Sequence, residues 1–214
     1  MRISELAKRA ATPVTAVKYY QREGLLFEGI RTAPNQVEYG EAHVKRVRLI
    51  RALLETGGLS IAATKDVIRA LDAPGAPLAE TFSVASSALA TPRAAEVRAS
   101  EASRERVKSI AHSLGWGFTG DNPGIEGAAR ALEGLDAIDF DAPGEYLRDY
   151  AAAAALAATA DVRALTALSD PDKIAELMVV GTVLGDPLFA GLRRIAQEDA
   201  THQLFPVDTN RDRS

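Results

Sequence analysis

The chain has 214 residues, 47% of them hydrophobic and 25% charged, with no cysteine and a formal net charge of −4. The lack of cysteine excludes disulfides, thiolate metal sites and thiol catalysis. The histidines His43, His112 and His202 are too far apart for a ligand pair of the H-x-x-x-H kind. No metal, no cofactor and no enzymatic activity are expected. The charge is uneven, with a net +5 over residues 1–71 and a net −9 over residues 72–214, which points the first segment toward a polyanion. No apolar run reads as long enough to span a bilayer, since the alanine stretch Ala151–Ala158 is closely flanked by Arg148, Asp149 and Asp161. No leader pattern precedes Glu5 and Lys8. The expectation is a cytoplasmic protein with no membrane partner.

In chain order, Ser4 is placed to cap a first helix ending near Arg9, with Ile3, Leu6 and Ala7 inward. Ala10 to Thr12 make a turn, and Thr12-Pro13 opens a second helix by side-chain capping followed by proline. Val14, Val17 and Tyr20 form its inner face; Thr15, Lys18, Tyr19 and Arg22 face away. Gly24 stops it. Two short helices and a tight turn are the helix-turn-helix arrangement, whose second helix fits a major groove. A hairpin excursion follows from Leu26 to Tyr39, with strand candidates at Leu26–Phe27 and Val37–Tyr39 and its turn at Asn35. A third helix from about Glu41 to Glu55 carries the apolar stripe Val44, Val47, Ile50, Leu54 and the basic residues Lys45, Arg46, Arg48 and Arg51. Gly57-Gly58 ends it, and Ser60 caps a fourth helix running to about Leu71.

Pro74, Gly75 and Pro77 mark a boundary. Beyond it the apolar spacing is helical, with Leu78, Phe82, Ala85 and Leu89 on one face and Val107, Ile110, Ala111 and Leu114 on another. Thr91-Pro92, Asn122-Pro123, Asp170-Pro171 and Asp186-Pro187 repeat the capping device, and Ala142-Pro143 is a weaker instance. The fold expected is mainly α, with a winged helix-turn-helix over 1–71, linker and dimerisation helices over 72–115, an all-helical sensing domain over 116–207 and a polar tail over 208–214. Gly115 to Gly120 spell G-x-G-x-x-G, but they follow a helix rather than a strand, so the phosphate-cradling context is missing.

The runs I-S-E-L-A-K-R at 3–9, A-V-K-Y-Y-Q-R-E-G-L-L at 16–26, R-T-A-P-N-Q-V-E-Y at 31–39 and L-I-R-A-L-L-E-T-G-G-L-S-I at 49–61 resemble the MerR family. The resemblance covers roughly a third of the chain. It implies a homodimer that binds double-stranded DNA at a near-palindromic promoter operator. The dimer distorts the duplex so that RNA polymerase engages both promoter elements, and an effector shifts it between states. By the same resemblance Lys18 and Tyr19 contact DNA, Arg31 and Tyr39 grip phosphates from the wing, and Thr15 reaches a base edge. Arg22, Asn35, Gln36, His43 and Arg46 complete the candidate contact set. Ala11 stands where the family has a turn glycine, Pro13 where it has a capping serine, and Asn35-Gln36-Val37 where it has Gly-Tyr-Arg. Either the wing makes fewer phosphate contacts, or Gln36 makes different ones.

Dimerisation falls to Leu78–Ala90 or to Pro92–Leu114. Trp116, Phe118, Tyr146 and Tyr150, with Phe140 and Phe189, are the aromatics available to line a pocket for a small organic effector; the same rings serve equally as ordinary core. The alternative function is an effector-independent architectural or repressor protein using the same winged helix.

Overall fold

The computed structural model describes residues 1–33, 36–73, 75, 77–89, 98–140 and 145–205. It is mainly helical. Helices α1 (Ile3–Arg9) and α2 (Val14–Arg22) precede a two-stranded antiparallel hairpin, β1 (Ile30–Ala33) and β2 (Gln36–Glu38). Arg31 pairs with Val37 and Ala33 with Gln36, across a register irregularity. Helix α3 (Glu41–Arg51) then runs into a π-turn over Ala52–Thr56, followed by α4 (Ile61–Asp72). Five more helices complete the described chain: α5 (Leu78–Leu89), α6 (Glu101–Ser113), α7 (Pro123–Asp136), α8 (Tyr146–Thr166) and α9 (Pro171–Leu204). The strand expected at Leu26–Phe27 does not form, because Leu26 is committed to the core.

The N-terminal core is aliphatic and tightly filled. Leu6, Val17, Leu25, Val44, Val47, Ile50, Leu53 and Val67 are each at most 1% exposed, and burying a side chain of this kind is worth about 1.5–3 kcal/mol. Helix α3 contributes one residue per turn to that core, which makes it the central strut. Two expected caps are replaced. Arg2, not Ser4, is the residue before α1, and it makes no side-chain cap. Pro13 precedes α2, while the Thr12 hydroxyl donates to the Ala10 carbonyl at 3.0 Å. Ala11 adopts φ +49°, a left-handed conformation that costs an alanine about 1–2 kcal/mol.

Three other caps form as expected. Ser60 Oγ accepts from the Ala63 N–H at 3.1 Å, Asn122 Oδ1 from Gly124 at 2.8 Å and Asp170 Oδ1 from Asp172 at 3.0 Å. Thr91-Pro92 and Ala142-Pro143 lie outside the described residues, as do Asn35 and the tail from 206 onward. Asp186-Pro187 opens no helix: it lies inside the 34-residue α9. Inside a helix a proline removes one backbone bond and crowds the carbonyl four residues back, and the packing of α9 on α5 and α8 outweighs that cost.

Helices α6 and α7 pair through carboxylates. Glu126 accepts from the Ala99 N–H and Glu133 from the Ser100 N–H, each at 2.6 Å, at the free amides where α6 begins. These bonds hold both carboxyls below the ordinary glutamate value. On α5 the buried positions are Thr81 and Ala85, whereas Leu78 and Phe82 are exposed. The inward face of α5 is therefore rotated from the expected one, because α4 and α9 both pack on it.

Helix α9 corrects the expectation that no stretch reaches membrane-spanning length: by length and composition alone it does. Its Val179 and Val183 are fully buried in the same core as Leu6 and Val17. The approach is close at Gly57, where an added Cβ would lie 2.3 Å from Val183 Cγ1 and 2.8 Å from the Leu53 carbonyl oxygen. Gly57→Ala is therefore expected to cost about 1–3 kcal/mol through overpacking. Denaturant unfolding of the full chain measures this, and an unchanged midpoint would contradict the packing described.

Candidate nucleic-acid interface

Helix α2 owes its position to its own alternation. Val17 and Tyr20 are buried against α1 and α3, and this turns Thr15, Lys18 and Arg22 into solvent. With the half-buried Tyr19, these residues fall at i, i+3, i+4 and i+7, a single helical face. The Arg22 guanidinium lies 5.7 Å from the Tyr19 ring centre, which orients both over that face. The Tyr20 phenol is pushed up, first by burial and then by the Glu55 charge, in keeping with its place in the core. On the hairpin, Arg31 and Gln36 are exposed.

Three other candidates sit differently. The Tyr39 side chain is buried, its hydroxyl accepts a bond from Gln21 Nε2 at 2.9 Å, and its ring meets His43 edge-on with centroids 5.2 Å apart. His43 is also buried. Its Nδ1 accepts from the Gly40 N–H at 3.0 Å, its Nε2 faces the Glu28 carbonyl at 3.3 Å, and Phe27 packs 4.2 Å from the ring. This pattern uses the neutral ring with the proton on Nε2. The N-terminal amine of Met1 donates to the Tyr39 carbonyl at 2.9 Å, closing the same joint. Tyr39 and His43 therefore brace the base of the hairpin. Arg46 forms a two-pronged pair with Asp72 at the end of α4 and stands 5.6 Å from the Phe27 ring centre. Its side chain is only 14% exposed, so it ties α3 to α4.

The basic run on α3 also divides. Lys45 is exposed. Arg48 donates to the Arg9 carbonyl at 2.8 Å, and Arg51 Nη1 donates to the Ala11 carbonyl at 2.6 Å and reaches the Ala10 carbonyl at 3.5 Å. These two arginines satisfy carbonyls that the end of α1 leaves free. The sequence displayed their charge and helical spacing, but not the partner helix across the core.

The four aromatic effector candidates fall into two groups, and among the described residues no ring contact joins them. Phe118 packs on His112 at 4.8 Å, beside an exposed Trp116. Tyr146 and Tyr150 lie 4.6 Å apart, and Arg193 of α9 donates to the Tyr150 hydroxyl at 3.1 Å. A cleft of about 680 Å³ lies elsewhere, between α4 and α5. It is lined by Leu59, Ala63, Val84 and Ala88, with Asp66 and Glu80 among its polar groups.

An α2 helix with one exposed polar face on a compact core, followed by a two-stranded hairpin that exposes Arg31 and Gln36, is the layout of a winged helix-turn-helix DNA-binding protein. The model of the MerR HTH family of regulatory proteins matches residues 1–71. Over 112 residues the chain is 30% identical to mercuric resistance operon regulatory proteins of Pseudomonas fluorescens and a Pseudomonas species, an alignment spanning 52% of this chain and 72% of theirs. The solved structure of SCO5550 from Streptomyces coelicolor A3(2), described as a candidate transcriptional regulator, is similar over 97% of this chain and 99% of its own. The TM-score is 0.67 and the identity 25%. The chain belongs to the MerR family of transcriptional regulators.

Two substitutions separate contact from support. Lys18→Ala is expected to weaken DNA binding and to flatten the dependence of log K on log salt by about one unit. Tyr39→Phe is expected to cost about 1 kcal/mol of folding stability through loss of the Gln21 bond, leaving the salt slope unchanged. Fluorescence anisotropy across a salt series, with thermal unfolding alongside, distinguishes the two. A slope altered by Tyr39→Phe would return that hydroxyl to the phosphate-contacting set.

Proposed function

We propose that the protein binds a near-palindromic promoter operator as a homodimer and regulates transcription by distorting the duplex in response to a small organic effector. The observation that carries the DNA-binding part is the outward face of α2, with Thr15, Lys18 and Arg22 exposed and Tyr19 half-buried, together with the exposed Arg31 and Gln36 of the hairpin. In this reading Lys18, Arg22 and Arg31 bond phosphates and set the register, while Thr15 reaches a base edge. Asn35, a turn residue by sequence, joins them as a candidate DNA contact. RNA polymerase is the protein partner at the promoter, and the cytoplasm, at the nucleoid, is the place of action. Residues 1–71 carry DNA binding, and the helices beyond them carry pairing and sensing.

Pairing is supported by α9. Leu188, Leu192 and Ile195 are each more than half exposed, and their i, i+4, i+7 spacing forms one apolar stripe of the kind that helices bury against one another. Val179 and Val183 lie on the side that faces the core. A helix held on one face by protein and apolar on another suits a second copy better than a surrounding bilayer, in keeping with the two-fold symmetry of palindromic sites.

The relatives are named for mercuric resistance. This chain has no cysteine, so thiolate capture of mercury does not carry over to it. The α4–α5 cleft, at about 680 Å³, has the size and mixed lining of a site for a small organic molecule. It adjoins the last helix of the DNA-binding segment, so filling it bears on the angle between α4 and α5.

Selection of duplexes from a random pool by the wild-type chain tests the reading. The expected result is enrichment of a two-fold-symmetric site bound by two copies. Enrichment of no sequence would contradict it, and bending of any duplex with no response to small molecules would favour the architectural alternative.

A further inference from the structure

We propose that α9 positions the DNA-reading turn: Val183, docked on Gly57, acts through the π-turn, Glu55 and Arg51 on the Ala10 and Ala11 carbonyls that set the angle between α1 and α2. The proposal rests on the chain being a regulator whose DNA affinity is adjustable, and it names the residues that adjust it.

The route consists of direct contacts. Val183 of α9 presses on the backbone at Gly57, where no Cβ fits. Gly57 donates to the Ala52 carbonyl at 2.9 Å and closes the π-turn, and the Leu59 N–H donates to the Leu53 carbonyl at 3.0 Å to hold its exit. Within the turn, Glu55 Oε2 accepts from Arg51 Nε at 3.0 Å and lies 2.9 Å from its Nη2. The free Nη1 of the same guanidinium reaches Ala11 at 2.6 Å. A guanidinium is planar, so fixing two of its nitrogens on Glu55 fixes the direction of the third.

The receiving end is sensitive. Ala11 has φ +49° without being glycine. A strained residue persists where its surroundings over-determine it, and here the surroundings are Arg51 and the Thr12 hydroxyl on Ala10. Tyr20 of α2 feels the charges of both Glu55 and Arg51, so the same pair borders the recognition helix from its inner side. A π-turn is an irregular element with a regular helical alternative, and such segments recur where function requires adjustment. Arg51, Glu55 and Val183 are thus positioning residues, which act on DNA binding without touching DNA.

A double-mutant cycle on the full chain tests the route, using the duplex that the wild type selects from a random pool. Val183→Ala and Arg51→Gln are each expected to lower affinity about five-fold, the scale of coupling through a packed network. The double variant loses no more than the weaker-binding single variant, and Arg51→Lys recovers part of the loss. Hydrogen exchange gives a readout that needs no DNA. In Val183→Ala the amides of Ala11 and Thr12, bonded in the native turn to Lys8 and Ala7, are expected to exchange about ten-fold faster than in wild type. Affinity factors that multiply, or turn amides that keep their wild-type exchange rate, would overturn the proposal. If Val183→Ala unfolds the chain, Glu55→Gln on the surface of the π-turn gives the same two readouts without opening the core. If no duplex is selected, the regulatory reading fails, while the exchange measurement still decides whether α9 governs the turn.

Discussion

The close approach of α9 to Gly57 is the constraint on which the rest of the molecule depends. It joins the end of the chain to its beginning: Val179 and Val183 lie in one continuous core with Leu6, Val17, Val44 and Ile50. A winged helix-turn-helix of this size buries a small core, and small cores are marginal. Helix α9 enlarges that core and also makes the DNA-binding segment responsive to whatever holds α8 and α9 in place. The boundary expected after Leu71 is thus a break in the chain path with no matching break in the packing.

Around that core, three arginines of α3 hold the frame instead of reaching outward. Arg46 is spent on Asp72, Arg48 on Arg9 and Arg51 on Ala11 and Glu55. Lys18 and Arg22 on α2 and Arg31 on the hairpin are exposed, as is Lys45 on α3. Such a division is physically sensible. Phosphate contacts confer affinity only when the groups making them are held in register with the duplex, and the α3 arginines fix α1 and α4 to the central helix.

Much of the fold was legible in local chemistry. Ser60, Asn122 and Asp170 cap helices because a short polar side chain before a helix has free amides to satisfy. The same signal failed at Asp186-Pro187, where packing of α9 against α5 and α8 overrides a local preference. The candidate contact face on α2 was readable because its period is helical. The burial of Tyr39 and His43 was not legible, because a tyrosine on a wing and a histidine at a helix start look the same whether they face water or each other. Their joint with Phe27, Gln21 and Met1 is made across the core. The effector aromatics were grouped by nearness in sequence, which the fold does not respect. Arg51 and Gly57 carry consequences visible only once α1 and α9 are in place.

If α2 and the hairpin form the DNA-contacting face of this MerR-family regulator, a bound duplex leaves its mark there and not on the distal helices. Amide and side-chain NMR shifts of the full chain, titrated with its selected duplex at moderate salt, test it most directly. The largest perturbations are expected at Thr15, Lys18, Tyr19, Arg22, Arg31 and Gln36, with His43 and Arg46 shifted little. Perturbations centred instead on α6 to α8, with those six residues unmoved, would contradict it.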